Sequence, residues 1–498
     1  MSSSLSLLLS RLSKEEHRYI AIALQRYKGD SQLYRCYRLL KKGAGRMEIL
    51  QSLEMKEHDF TVLCSKLKVR ILDILADFSS SQNTFLRLIQ MRRRVEVLIA
   101  KGLLREAEKQ TEKLRVKAAT LEIFWFEVEA LHLKRLLMAQ RNYSEISREE
   151  LLKMKSKLKK KTSAFQQLSE FQFDSSLLFM QFYRDGHLNE TSDTYQSFLR
   201  ESAGHCESSL ARYVWHNTRG FLYGRKDEAQ RSIFEQKMAI EALMQLPIID
   251  NERWYYLISA INNICIALCN AGDFHSAKDY REKLRQLPGK RKRLSYRESI
   301  FWWQHILALD FYMMLEGADF KRLDQLLTNL HLALKQHDFS KWYRAYFYYS
   351  AAYALFIVGR FDDALQWILL LLQNPHKEIP EEIYRFFLLL HALIHFESGN
   401  FEIASVLLEN HKRKLRKTKN IYRLESLFTR FLLRAVRANG HKLREMAVAC
   451  LCESRKLLNE NAQERKVLDY LNMDIYLEAL ASAASFYRIY QEKKNKDV

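Results

Sequence analysis

The chain of 498 residues carries 80 Lys and Arg against 59 Asp and Glu, a net charge of +21, with only 14 Gly and 4 Pro. So few turn formers, beside an abundance of Leu, Ala, Lys, Arg, Glu and Gln, exclude a sheet-rich or collagen-like chain and favour long helices on short connections. The charge favours anionic partners in general, nucleic acid, acidic protein or a charged surface, without choosing among them.

The opening residues, MSSSLSLLLSRLSKEEHRY, hold a short apolar run at 5–9 with no basic residue before it. This reads as a helix start, not a leader. Helices are expected over 12–27, 33–40, 47–53 and 58–78, with Gly43-Ala44-Gly45 between the second and third and a linker at 79–83. The third and fourth of these resemble a helix-turn-helix, with Thr61, Ser65, Lys66, Lys68 and Arg70 offered to DNA. Glu57 and Asp59 stand where base-reading residues would meet phosphates, and Glu54 occupies the turn where a small residue is usual. Residues 1–80 are therefore expected to form an N-terminal helical bundle, with DNA reading as an alternative.

From residue 81 onward a small signature recurs. It reads Gly102-Leu104-Ala107, Gly224-Lys226-Ala229, Gly272-Phe274-Ala277, Gly359-Phe361-Ala364 and Gly399-Phe401-Ala404. With Asn142 standing in for glycine, and with Gly186, Gly317 and Gly440, the expected corners are 38 to 48 residues apart. Glycine suits a helix-to-helix corner because it accepts positive φ, and the alanine five residues on lets the second helix approach closely. Self-similarity at such a period is the mark of stacked helix pairs.

The G-x-F-x-x-A corner resembles the middle of the tetratricopeptide repeat. GDFHSAKDYREKLRQLP, GRFDDALQWILLLLQNP and GNFEIASVLLENHKRKL carry the likeness, with Cys265, Ala352 and Ala392 as the small residues of the preceding helix. Spacing near 40 departs from the family's 34. The resemblance implies an all-α fold, a right-handed α–α superhelix over 81–465, closed by a capping helix and charged tail at 466–498. It also implies that the first helix of each pair lines a concave face. Tyr346, Tyr349, Tyr353 and Phe356, then Phe386, Leu389, Leu393 and Phe396, would form a groove for a partner protein or peptide, with Asn262 as a polar contact. Burial of these aromatics by neighbouring repeats or by the C-terminal helix is the alternative.

Three basic runs, at 153–161, 290–293 and 412–419, are expected near the C-terminal ends of second helices, where cations offset the helix dipole. Lys157, Lys160, Arg291, Arg293, Arg413 and Arg416 would serve RNA or a ribosome if these edges join into one rim. No catalytic motif, cofactor fingerprint or membrane span is legible. His391 and His395, one turn apart, lack an acidic third ligand nearby in sequence. Cys36, Cys64, Cys206, Cys265, Cys269, Cys450 and Cys452 form no C-x-x-C, which suits a reducing cytoplasm, and Cys265 and Cys269, one helical turn apart, read as core fillers. The expectation is a non-enzymatic cytoplasmic scaffold or adaptor without cofactor or metal. The alternatives are a DNA-binding regulator with peptide-sensing repeats and an RNA- or ribosome-associated protein.

Overall fold

The computed structural model describes residues 3–25, 31–79, 83–144, 146–185, 188–200, 206–246, 251–290, 294–373, 381–417, 422–438 and 440–496. Every regular element among them is helical. In chain order these are α1 (Ser3–Ser10), α2 (Lys14–Gln25), α3 (Ser31–Lys41), α4 (Arg46–Ser52), α5 (Glu57–Ser79), α6 (Thr84–Ala100), α7 (Leu104–Thr120) and α8 (Phe124–Gln140). There follow α9 (Arg148–Asp185), α10 (Asp193–Arg200), α11 (Ser209–Arg225), α12 (Ala229–Met244), α13 (Asn251–Asn270), α14 (Phe274–Gln286), α15 (Tyr296–Glu316) and α16 (Leu323–Gln336). The last are α17 (Lys341–Ile357), α18 (Phe361–Leu372), α19 (Glu381–Glu397), α20 (Phe401–Leu415), α21 (Arg423–Ala435), α22 (Gly440–Glu460), α23 (Met473–Ser482) and α24 (Phe486–Lys496). Helices pack mainly on their neighbours in sequence, as successive pairs. No described helix is long and apolar enough to cross a membrane.

The chain divides into two compact units: 1–176 with 202–215 and 241–256, and 177–201 with 216–240 and 257–498. In the first, α1 to α5 enclose their own core of Leu5, Ile20, Cys36, Ile49, Phe60 and Leu67. The helix expected over 12–27 begins at Lys14, because Ser13 and Glu16 form a capping box. The Ser13 amide donates to Glu16 Oε2 at 2.7 Å, and the Glu16 amide to Ser13 Oγ at 3.2 Å. A second core, including Leu88, Val95, Ala107 and Leu114, joins α6, α7 and α8.

The corner chemistry is observed directly at Gly102, Gly272, Gly359 and Gly399, whose φ values are 73°, 77°, 79° and 75°. Ala107, Ala277, Ala364 and Ala404 are fully buried, each letting two helices close on one another. Asn142 replaces glycine as expected, with φ 51°. Elsewhere the register differs. Gly224 lies inside α11, and Asp227 (φ 60°) makes the bend, a small polar residue being able to bond locally in that conformation. At the next irregular corner Ala318, not Gly317, is left-handed. Gly440 opens α22, and Gly186 lies outside the described residues.

An added Cβ at Gly359 meets nothing within 4 Å, so only the backbone opposes substitution there. Gly359→Ala is expected to cost about 1 kcal/mol. Gly440→Ala, equally open but without positive φ, should be close to neutral. Urea midpoints of the two variants check the contrast.

Candidate functional site

The face proposed from sequence as a partner groove lies in the second unit, on α17 and α19. Tyr349, Tyr353, Phe356, Phe386, Leu389, Leu393 and Phe396 are buried, and Tyr346 and Asn262 are half-buried. The cover is the chain's own C-terminal segment. Tyr349 Oη donates to the Tyr470 carbonyl at 2.7 Å. Tyr353 Oη bonds Asn472 Oδ1 at 2.8 Å and accepts from the Asn472 amide at 3.1 Å. The rings of Phe386 and Tyr470 stack at 4.6 Å, and those of Phe356 and Phe486 lie 5.6 Å apart. Burial holds the Tyr346 phenol up at about 12 and raises those of Tyr349 and Tyr353 as well. An open face of this size would expose an apolar patch well beyond what a soluble surface usually carries. The aromatics instead complete the core, so this structure leaves no open groove for a partner there.

The covering residues Tyr470, Asn472, Tyr476, Phe486 and Tyr490 belong to 466–498, the segment expected as a capping helix and charged tail, so the alternative of burial by the C-terminal segment is the one observed. The apolar spacing in LNMDIYLEALASAASFYRIY was the available signal. Glu464 also caps α21, accepting from the Arg423 and Leu424 amides at 3.0 and 2.9 Å.

Deeper in the same unit an ionic cluster joins three helices. Arg385 Nη2 lies 3.1 Å from Glu425 Oε2, and His411 Nε2 lies 3.3 Å from Glu425 Oε1. The rings of His391 and His395 are 5.0 Å apart, and burial followed by the His395 charge holds His391 down at about 4. Among the described residues no three His, Cys, Asp or Glu side chains gather as a metal site.

The helix-turn-helix candidate is α4 and α5. Glu54 takes φ 49° in the turn, and Arg46 pairs with Glu57 at the start of α5. Lys66 is exposed, Lys68 is half-buried and bonds Ser4 Oγ at 3.2 Å, and Arg70 is half-buried. The outward side of α5 also carries Val62, Val69 and Leu72, all exposed. An apolar stripe therefore runs along the helix that was to read bases.

The basic runs fall in different settings. Lys157 and Lys160 belong to the first half of α9, not to a helix C-terminus, because nothing interrupts that helix for 38 residues. Dipole compensation does not account for them. Arg413 lies in the last turn of α20 and Arg416 caps it, as the spacing predicts. Arg291 and Arg293 lie outside the described residues.

Two surface cavities lie in the first unit. The first, about 400 Å³, opens between α7, α8 and the start of α9. Its acids are engaged: Glu112 with Arg115 at 2.5 Å, Glu108 with Arg141 at 3.2 Å, and Glu150 with the Ser147 amide at 3.0 Å. Lys134, Lys153 and Lys157 also line it. Burial, then the Arg115 charge, lowers Lys157 below the usual lysine range.

The second cavity, about 560 Å³, lies between α6 and α7 and is lined by Arg87, Arg94, Lys113 and Lys117 with Gln90, Gln110 and Met91. No acid lines it. Cations held together without counter-ions repel one another and attract an anion. Runs of consecutive cations do not reveal this cleft, because its four cations are spread over two helices at helical spacing. Compared with protein-family models, curated proteins and solved structures, the chain matches none.

Proposed function

We propose that the protein is a non-enzymatic helical-repeat scaffold or adaptor, tetratricopeptide-like in its hairpins and superhelical in plan, which holds an anionic partner. The repeat reading is supported by the shared corner of Gly102, Gly272, Gly359 and Gly399, each left-handed and followed five residues on by a fully buried alanine. The partner's chemistry rests on one observation, the four cations of the α6–α7 cleft with no acid lining it. The face of α17 and α19 takes no part, since the C-terminal segment fills it.

Retention on a heparin matrix tests the reading. The full chain is expected to stay bound at about 150 mM salt, where free charges more than about 8 Å apart are screened. Arg87→Gln/Lys117→Gln should elute at clearly lower salt. Arg413→Gln/Arg416→Gln, which removes the same charge from α20 and its C-cap, should elute with the parent. Equal shifts for the two pairs would mean that net charge alone acts, and would reject a defined site.

A further inference from the structure

The α6–α7 cleft has a regular construction. Arg87, Gln90 and Arg94 stand at i, i+3 and i+7 on α6, and Gln110, Lys113 and Lys117 at the same offsets on α7. Such offsets place each set on one helix face. The two helices return on each other through the short corner at Gly102, so the faces meet across the cleft. From Arg87 to Arg94 is about 10 Å along the axis, the length of roughly three stacked nucleotides.

Acids are not scarce on this hairpin, only excluded from its cleft. Arg92 pairs with Glu96 at 2.5 Å, Lys109 with Glu106 at 2.9 Å and Arg115 with Glu112 at 2.5 Å. No acid lines the cleft beside Arg87, Arg94, Lys113 and Lys117. Lys117 is lowered from its ordinary range, by burial first and by the Arg87 charge second.

A second feature lies at the same end of the hairpin, where α6 begins, α7 ends and α8 begins. Phe85 and Trp125 are 42% and 58% exposed, with ring centroids 6.5 Å apart. Phe126 holds them from beneath, stacked on Trp125 at 5.5 Å and edge-on to Phe85 at 5.3 Å. An acidic peptide would use the cations but has no need of two exposed rings at the same end of the hairpin, on the α8 side of α6. A duplex would offer phosphates but keep its bases stacked within.

We propose that this cleft binds single-stranded nucleic acid, with phosphates along Arg87, Arg94, Lys113 and Lys117 and an unstacked base on the Phe85–Trp125 edge. Cationic grooves with aromatic platforms bind single strands in this way, without reading sequence. Gln90 and Gln110 add neutral amide donors for phosphate or base edges. The inference rests on the anionic-partner reading and names the partner's class.

Fluorescence anisotropy on the full chain tests it, with labelled 12-nucleotide oligo(U) and oligo(dT), a 12-base-pair duplex, and polyglutamate as competitor. Neutralising four phosphates on a single strand predicts a log K against log salt slope of about −3. Arg87→Gln/Lys117→Gln should weaken oligonucleotide binding at least tenfold and reduce the slope by about 1.4. Trp125→Ala should weaken it about tenfold at unchanged slope, and quenching of Trp125 emission should accompany binding. All three side chains are at least partly exposed, and an unchanged circular dichroism spectrum verifies folding. Preference for either sugar supports the proposal. Equal affinity for duplex or polyglutamate with no effect of Trp125→Ala overturns it while leaving the anionic-partner reading intact. Absence of cleft-dependent binding to any of the probes overturns both.

Discussion

Arg385→Met is expected to lower the stability of the second unit by roughly 3–5 kcal/mol, the usual cost of removing one member of a buried ion pair. Arg385, on α19, is 1% exposed, and Glu425, on α21, is 0% exposed. Its guanidinium meets that carboxylate twice, through Nε at 3.2 Å and Nη2 at 3.1 Å. Without Arg385 the carboxylate keeps His411, itself fully buried at 3.3 Å, and must remain a poorly paired charge or bind a proton. Apolar replacement of the whole group should behave differently. Arg385→Met/His411→Phe/Glu425→Leu removes every charge at once, and is expected to recover most of the loss. Urea unfolding followed by circular dichroism measures both variants. A loss below about 1 kcal/mol for Arg385→Met alone would mean that water reaches these groups in solution.

The second large effect belongs to the C-terminal cover. Tyr476→Ala is expected to cost about 3–5 kcal/mol, as for other large aromatics cut to alanine in a core. The Tyr476 ring packs 6.1 Å from Phe356, 5.8 Å from Phe428 and 5.5 Å from Phe486. Its hydroxyl bonds Glu397, whose carboxyl burial already raises above the ordinary range. Tyr476→Phe keeps the ring and loses only that bond, at about 1 kcal/mol. A near-neutral Tyr476→Ala would show that the segment is not docked on α17 and α19 in solution, and would return the face to the role expected from sequence. A dye that fluoresces on exposed apolar surface should then bind the parent protein strongly.

The corners were legible because their cause is local. A left-handed residue is needed wherever a helix reverses within three residues, and glycine meets that need without help from the rest of the chain. Where another residue can take the conformation, as Asp227 and Ala318 do, the glycine pattern points to the wrong position. The limits of α4 and α5 were legible for the same reason, both lying close to those expected. Whether the outer face is basic or apolar depends on which side of α5 packs inward, and composition does not fix that.

The groove and the cleft show the opposite case. Tyr349 and Tyr353 share one face of α17 by spacing alone, but spacing is silent on whether solvent, a partner or residues more than a hundred positions later will cover that face. The cations of α6 and α7 lie from four to thirty residues apart in sequence, and only the hairpin brings them to one cavity while sending the nearby acids elsewhere.

By itself the sequence determined that this protein is helical, where several helix pairs reverse, and that its charge favours anions, since helix propensity, positive φ and net charge are properties of single residues or short segments. Only the tertiary structure decided which apolar face became core and which cations share a cleft that no acid lines. Burial and electrostatic repulsion act through space between segments whose distance along the chain carries no information about their contact.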